Sequence, residues 1–250
     1  MAAFESLRET AVILRRCPAV LLGMLIFAIL TAWWIYSEPT TVFFAFSAMI
    51  VPFLYGGVYG AVEETLDLEG RGVVGASSFL RNGIDNYPVL IVGISLKYAA
   101  FWGLLTVGIG IIKGFGEFSG FLVAWFDVSI VLLSMSIVVS VTIVSGVLLL
   151  FVFQFFGVAV IVQGREGIRG GTVEGFKDSY RFVNEHTGSV AEYMAVSLSL
   201  FLVPSAVAVF MAEDITKTHL MLPILAYLSV AWGIYYTYRV VYFRSVLSSP

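Results

Sequence analysis

The sequence predicts an all-α integral membrane protein with six transmembrane helices, arranged as three repeats of an amphipathic helix followed by two spans. The chain of 250 residues is 59% hydrophobic with a mean hydropathy of +0.95, and short polar segments interrupt its long apolar runs. These runs are continuously apolar and do not alternate with a period of two, which favours helices over a β-barrel. The cationic residues cluster in alternate connections, which indicates the topology.

Eleven of the fourteen Lys and Arg residues can be placed on one side of the membrane. Because cationic segments tend to stay in the cytoplasm, we expect both termini to be cytoplasmic and the number of crossings to be even. The formal net charge of −3 argues against nucleic-acid binding, which usually needs a clustered basic surface. The eleven residues are Arg8, Arg15, Arg16, Arg71, Arg81, Arg165, Arg169, Lys177, Arg181, Arg239 and Arg244.

The first repeat begins with residues 2–16, which have the pattern of an amphipathic helix. Pro18 then opens the first span, a position at which its missing N–H is tolerated. That span reaches about Tyr36, and the second covers about 40–62. The apolar face of the amphipathic segment consists of Phe4, Leu7, Ala11 and Leu14.

The same order of segments recurs twice. The second amphipathic segment covers 73–86, and Pro88 opens a third span that ends near Ile112. The third amphipathic segment, 172–186, precedes spans at about 188–211 and 220–242.

An offset of 100 residues aligns two of the copies. It places FLYGGV (53–58) on FQFFGV (153–158), and Arg81 on Arg181. We therefore interpret the chain as a single transmembrane domain, 1–250, with repeat units of approximately 1–72, 73–171 and 172–250.

The apolar stretch 120–163 leaves the number of crossings open. Arg8 and Arg81 are 73 residues apart and Arg81 and Arg181 are 100 apart, so the middle copy has 27 extra residues, near 113–139. They could form a seventh span, but this would move the cationic segment around 164–187 outside. We therefore expect six spans, with 119–138 at the outer interface or re-entering the membrane, and seven spans as the alternative.

Lys97 is the main candidate for a functional polar residue, because a charge near the centre of a span is costly unless it is paired or hydrated. Asp127 and Glu192 are its possible partners, so the three form a candidate intramembrane polar site. A structural role is the other interpretation. The stem of Lys97 can carry its ammonium group to water, and Glu192 near a helix start is favoured by the helix dipole.

No motif predicts catalysis, a cofactor or a metal. Two His and one Cys provide no ligand cluster, and no P-loop, GxSxG or GxGxxG pattern is present. The pair Glu185-His186 could exchange protons, but no further group supports it. Gly56 and Gly60 have the spacing that allows close helix contact within the chain or in a homo-oligomer.

The chain contains the motifs PFLYGGVYG (52–60), EE (63–64), SFLRNG (78–83) and NY (86–87). Together they resemble a family of uncharacterised multi-pass membrane proteins from halophilic archaea. The alternation of amphipathic segments and span pairs is similar over most of the chain. The resemblance implies a protein of the archaeal plasma membrane, and it implies no activity and no catalytic residues.

The expected function is that of a non-enzymatic membrane scaffold or accessory subunit whose interfacial helices contact the lipid bilayer. Membrane partner proteins are its expected protein contacts. The alternative is a small transporter or channel with a polar site near Lys97, since transporters are often built from repeats around a site at the membrane midplane. An intramembrane enzyme ranks third.

Overall fold

The computed structural model describes residues 2–36, 41–68, 73–117, 128–164, 167–214 and 221–248, and every regular element in these ranges is a helix. The five-residue segment Leu198–Leu202 is a π-helix. The α-helices are α1 (Ala2–Arg16), α2 (Pro18–Tyr36), α3 (Thr41–Asp67), α4 (Ala76–Glu117), α5 (Val128–Val152), α6 (Phe156–Val162), α7 (Ile168–Glu185), α8 (Thr187–Ser197), α9 (Val203–Asp214) and α10 (Met221–Leu247).

Three helical segments of the described chain are long and apolar enough to cross a membrane. They are Ala76–Gly114, Leu132–Val162 and Thr187–Ala208. The pair Ala3–Arg16 and Pro18–Leu30, bent by 94°, makes a fourth if it is counted as one span. The all-α class and the apolar helices are therefore confirmed at this coarser level.

The first and third amphipathic segments form the separate helices α1 and α7, and α2 begins at Pro18 as predicted. The second amphipathic segment differs. It is continuous with the following span in α4, and Pro88 lies inside that helix. Proline removes one hydrogen bond from the helical ladder, and membrane helices tolerate it where neighbouring groups or a local adjustment of the helix satisfy the freed carbonyl.

The long apolar stretch is helical over much of its length. Helix α5 begins at Val128, so residues 128–138 are continuous with 139–152, whereas the sequence argument separated 119–138 as an interfacial or re-entrant segment. None of the eleven residues 128–138 is charged, so the helix can include them without placing a charge in an apolar environment. The remainder of that segment, including Asp127, lies outside the described residues.

The chain forms two compact units, Met1–Gly93 with Phe155–Pro250 and Ile94–Gln154. In the first unit, α10 is the central helix and packs against α1, α2, α3, α6 and α9. Its buried side chains include four tyrosines, so the core of this unit is aromatic and contains hydroxyl groups. The four are Tyr235, Tyr236, Tyr238 and Tyr242.

The second unit is an antiparallel helix pair formed by the second half of α4 and α5. A Cβ atom on Gly108 would lie 2.5 Å from the Thr142 side chain, and one on Gly146 would lie 3.0 Å from Phe101. Most of the other apolar side chains in this unit are exposed, as expected for a surface that faces lipid.

Candidate functional site

The predicted polar site is divided between the two units. Lys97 is half-buried in the second unit, where it interacts with a neighbouring group. Glu192 is half-buried in α8 of the first unit, and its carboxylate acts electrostatically on Tyr238 and Tyr242 of α10. Asp127 lies outside the described residues. A site that joins these residues stays a prediction.

The first unit contains a cationic group that is surrounded by tyrosines. The Nε of Arg239 donates a hydrogen bond to the hydroxyl of Tyr193 at 3.3 Å, and Nη1 donates to that of Tyr59 at 3.1 Å. Nη2 donates to the hydroxyl of Tyr235. The guanidinium carbon also lies 4.6 Å from the ring centre of Tyr235 and 5.4 Å from that of Tyr236, within the range of a cation–π interaction.

This tyrosine–arginine cluster links three helices through one side chain. Tyr59 belongs to α3, Tyr193 to α8, and the remaining members to α10. Hydroxyl and ring contacts use the donors of Arg239, so the cluster stabilises a charge in an aromatic interior. Sequence analysis missed this cluster and counted Arg239 among the cytoplasmic cations. The sequence contains one pattern that indicates this contact. Tyr235 and Tyr236 lie four and three residues before Arg239, so they share a helical face with it.

A second polar cluster joins the carboxyl ends of α3 and α10. Nη1 of Arg244 lies 2.8 Å from Glu63 Oε1, and Nη2 lies 2.7 Å from Asp67 Oδ1. Close by, the hydroxyls of Ser6 and Ser245 share a hydrogen bond of 3.0 Å, which ties α1 to the same end of α10. Helix α1 and the last turns of α10 therefore lie beside each other.

Glu63 lies just beyond the second predicted span and has an unusual acidity. Burial raises the pKa of its carboxyl group from the ordinary 4.5 to about 7, although the charge of Arg244 opposes this shift. The neighbouring Glu64 behaves in the opposite way. The hydrogen bond donated by the Ser78 hydroxyl is the main cause of its lowered pKa, with further hydrogen bonds from Asn82 and Arg81.

The motifs that carry the family resemblance meet at one helix contact. Along α3, Gly60 stands so close to α4 that an added Cβ atom would lie 2.5 Å from the Asn82 side chain. In return, a Cβ atom on Gly83 of α4 would lie 2.7 Å from the Phe53 ring. Glu64 lies one turn after Gly60 and accepts from Asn82 at 3.2 Å. The motifs therefore describe a packing surface.

The ring of Phe79 is inserted between two helices. Cβ atoms on Gly23 of α2 and Gly57 of α3 would lie 2.6 Å and 2.7 Å from this ring. In the third amphipathic segment, Phe182 is buried and its ring centre lies 4.4 Å from that of Phe243. The amphipathic segments thus direct these two side chains into the protein.

Helix α1 lies over an apolar groove. The face of α1 that packs on the bundle is formed mainly by small and polar side chains, Ala3, Ser6 and Thr10, together with Ile13, all of them buried. The predicted apolar face instead lines a cavity of about 650 Å³, which we call the α1 groove. Its lining residues are Leu7, Ala11, Leu14, Arg15, Leu21, Leu200, Phe201, Val230 and Ile234.

Comparison with known protein families shows to which family the chain belongs. A family model described as Domain of unknown function (DUF7847) matches residues 1–245. The chain belongs to this family. No curated protein and no solved structure matches it. The expected resemblance to an uncharacterised family is confirmed, and the function of this DUF7847 protein must be argued from its own geometry.

The described residues of this DUF7847 chain form polar clusters and close helix contacts. Among the described residues, no group of three or more His, Cys, Asp or Glu is placed to hold a metal ion. In the first unit, Arg239 donates hydrogen bonds to tyrosine hydroxyls and Arg244 forms ion pairs with two carboxylates. The α1 groove has the shape and the lining of a binding site for an apolar molecule, because it is concave and largely apolar.

Proposed function

We propose that this protein is a non-enzymatic membrane scaffold or accessory subunit that rests on the bilayer surface through interfacial helices. The observation that carries the proposal is the 94° bend between α1 and α2. If α2 crosses the bilayer, α1 lies along its surface, as amphipathic interfacial helices do. Phe4 is 63% exposed on α1, where it is available for insertion among lipids.

The helices can be assigned to six crossings. These are α2, α3, the apolar part of α4, α5 with α6, α8 with the π-helix and α9, and α10. Each pair of spans then follows one amphipathic segment, in accordance with three repeats. An even number of crossings places both termini on the same side, the cytoplasmic side of an archaeal plasma membrane. The hydrogen bond between Ser6 and Ser245 supports this assignment, because it requires the two ends to be neighbours.

Three features favour a scaffold over a transporter. The guanidinium of Arg239 is bound by tyrosine hydroxyls, so it already has partners in the absence of a solute. Arg244 likewise binds two carboxylates. The α1 groove has an apolar lining apart from Arg15, which suits lipid better than a small polar solute. The partners expected on this basis are the bilayer, a second copy of the chain or another membrane protein.

Cysteine labelling in sealed vesicles tests the topology. In a Cys17→Ser background, we expect cysteines introduced at Glu38, Lys113 and Glu213 to react with an impermeant reagent from outside. Cysteines at Arg71 and Lys177 should react only from inside. Outside labelling at Lys177 would contradict six crossings and support seven.

A flux assay tests the scaffold function against transport. Purified protein reconstituted in liposomes should leave the flux of ions and small polar solutes at the level of protein-free liposomes. Flux that Lys97→Met abolishes in a normally folded protein would refute the scaffold and favour the transporter.

A further inference from the structure

We propose that the α1 groove binds one molecule of an anionic membrane lipid, with an acyl chain beneath α1 and the phosphate at Arg15. The proposal deepens the scaffold function and rests on it, because it names the lipid that α1 would hold. The volume of the α1 groove, about 650 Å³, lies within the range of roughly 300–1,000 Å³ that is usual for ligand sites. Apart from Arg15, the lining residues have aliphatic or aromatic side chains, as an acyl chain requires.

The fold creates this groove by directing the apolar stripe of α1 away from the core. Small residues of α1 seat the helix on the bundle, with Ala3 and Thr10 fully buried. The hydroxyl of Thr10 donates to the carbonyl of Ser6 in the same helix at 2.7 Å, so this polar face is satisfied without water. Because α1 and α2 meet at a bend of 94°, Leu7 and Leu14 of α1 line the groove together with Leu21 of α2.

The far side of the groove is shaped by the π-helix. Leu200 and Phe201 both belong to this segment and both line the groove. Pro204 follows it, and because proline has no N–H it cannot donate to the carbonyl of Leu200 four residues earlier. The wider π turn is a common response to such a defect, and π turns often occur at functional sites. Two walls of the groove thus follow from the local sequence: α1 with its small packing residues, and the π-helix that precedes Pro204.

The charge at the groove selects the headgroup. Arg15 lines the groove in the last turn of α1, and its side chain is exposed. It forms no ion pair with any residue that the structure describes. A guanidinium with free donors beside an apolar groove is complementary to a lipid that joins a phosphate to an acyl chain. This combination distinguishes a lipid site from a site for a purely apolar molecule.

The test measures lipids retained by the full-length protein. The protein is purified in mild detergent, mixed with equal amounts of a phosphatidylglycerol and a phosphatidylcholine of the same chains, and examined by native mass spectrometry. We expect one tightly retained lipid, with the anionic one preferred. Arg15→Gln should reduce that preference about fivefold, the effect of one cationic side chain near a lipid surface. Ala11→Phe should fill the groove and abolish tight retention of both lipids.

Two matched variants of α1 provide the controls. Arg8→Gln removes the same charge from the same helix but lies outside the groove, so the anionic preference should stay. Val12→Phe places the same aromatic side chain at an exposed position outside the groove, so retention should stay. Equal loss of preference in Arg8→Gln and Arg15→Gln would overturn the headgroup site. Unchanged retention in a folded Ala11→Phe would overturn the groove. A misfolded Ala11→Phe leaves the decision to the two Arg variants.

The result of the lipid-retention experiment can be distinguished from the result of the experiments that test the scaffold function. Lipid retention in detergent does not depend on the number of crossings or on flux. Retention together with flux that depends on Lys97 would support the lipid site and contradict the scaffold, whereas the absence of both retention and flux would contradict the lipid site alone.

Discussion

Replacing Arg239 by Met should destabilise the first unit strongly, because the cation is the shared donor for three helices. Three tyrosine hydroxyls lose their donor, and each buried hydroxyl left unpaired costs about 1–2 kcal/mol. Loss of the cation–π contacts adds about 1 kcal/mol. Some hydroxyls will pair with one another, as Tyr55 and Tyr236 already do at 2.8 Å. We therefore expect the free energy of unfolding to fall by about 3–5 kcal/mol.

The assay is reversible unfolding in mixed micelles, followed by far-UV circular dichroism as the fraction of denaturing detergent rises. Arg181→Met is the matched control, because Arg181 is exposed and should change the free energy of unfolding by less than about 0.5 kcal/mol. Arg239→Lys keeps the charge but loses the planar fork, so its loss should be intermediate. If Arg239→Met unfolds together with wild type and with the control, the cluster does not hold the helices together.

Two further predictions concern helix contact and acidity. Gly60→Ala should lower the free energy of unfolding by about 1–3 kcal/mol, because the added Cβ atom would lie 2.5 Å from the Asn82 side chain. Gly103→Ala is the control, because its Cβ atom would have no neighbour within 4 Å. Equal micellar unfolding curves for these two variants would argue against the α3–α4 packing surface. Glu63 has a folded-state pKa of about 7, above the ordinary 4.5, so its stabilisation is complete below pH 4.5 and is lost as pH rises through 7, by up to about 3 kcal/mol. Between pH 4.5 and pH 8, the free energy of unfolding should decline less in Glu63→Gln than in the wild-type protein. An identical decline in both proteins would contradict the role of Glu63.

Local patterns predicted the start of α2 and the positions of α1 and α7, although Pro88 lies inside α4 and does not begin a helix. Pro18 marks the start of α2 because proline is suited to the first helical turn. Helical spacing of apolar residues predicted α1 and α7, although it could not predict which face of α1 packs on protein. The periodic stripe shows only that Leu7 and Leu14 avoid water. Whether lipid or protein covers them depends on contacts with distant helices.

The polar sites were harder to predict because their partners are far apart in the chain. Arg239 is 180 residues from Tyr59 and 46 from Tyr193, separations at which no sequence period operates. The glycine motif was recognised as a resemblance, but its role became visible only when Gly60 was seen against Asn82. Lys97 was chosen for its depth in an apolar run, and its pairing with Glu192 stays a prediction.

The most direct test of the account is the depth of α1 in the bilayer. Spin labels are placed at Phe4, Arg8, Ala11, Val12 and Arg15 in nanodisc-embedded protein, and their accessibility to oxygen and to a water-soluble nickel complex is compared. An interfacial α1 predicts a depth that oscillates with a period of about 3.6 residues around a constant mean. A depth that changes steadily from Phe4 to Arg15 would show that α1 crosses the membrane, and uniform hydration would show that it leaves the surface. Either result would contradict a scaffold anchored by this helix.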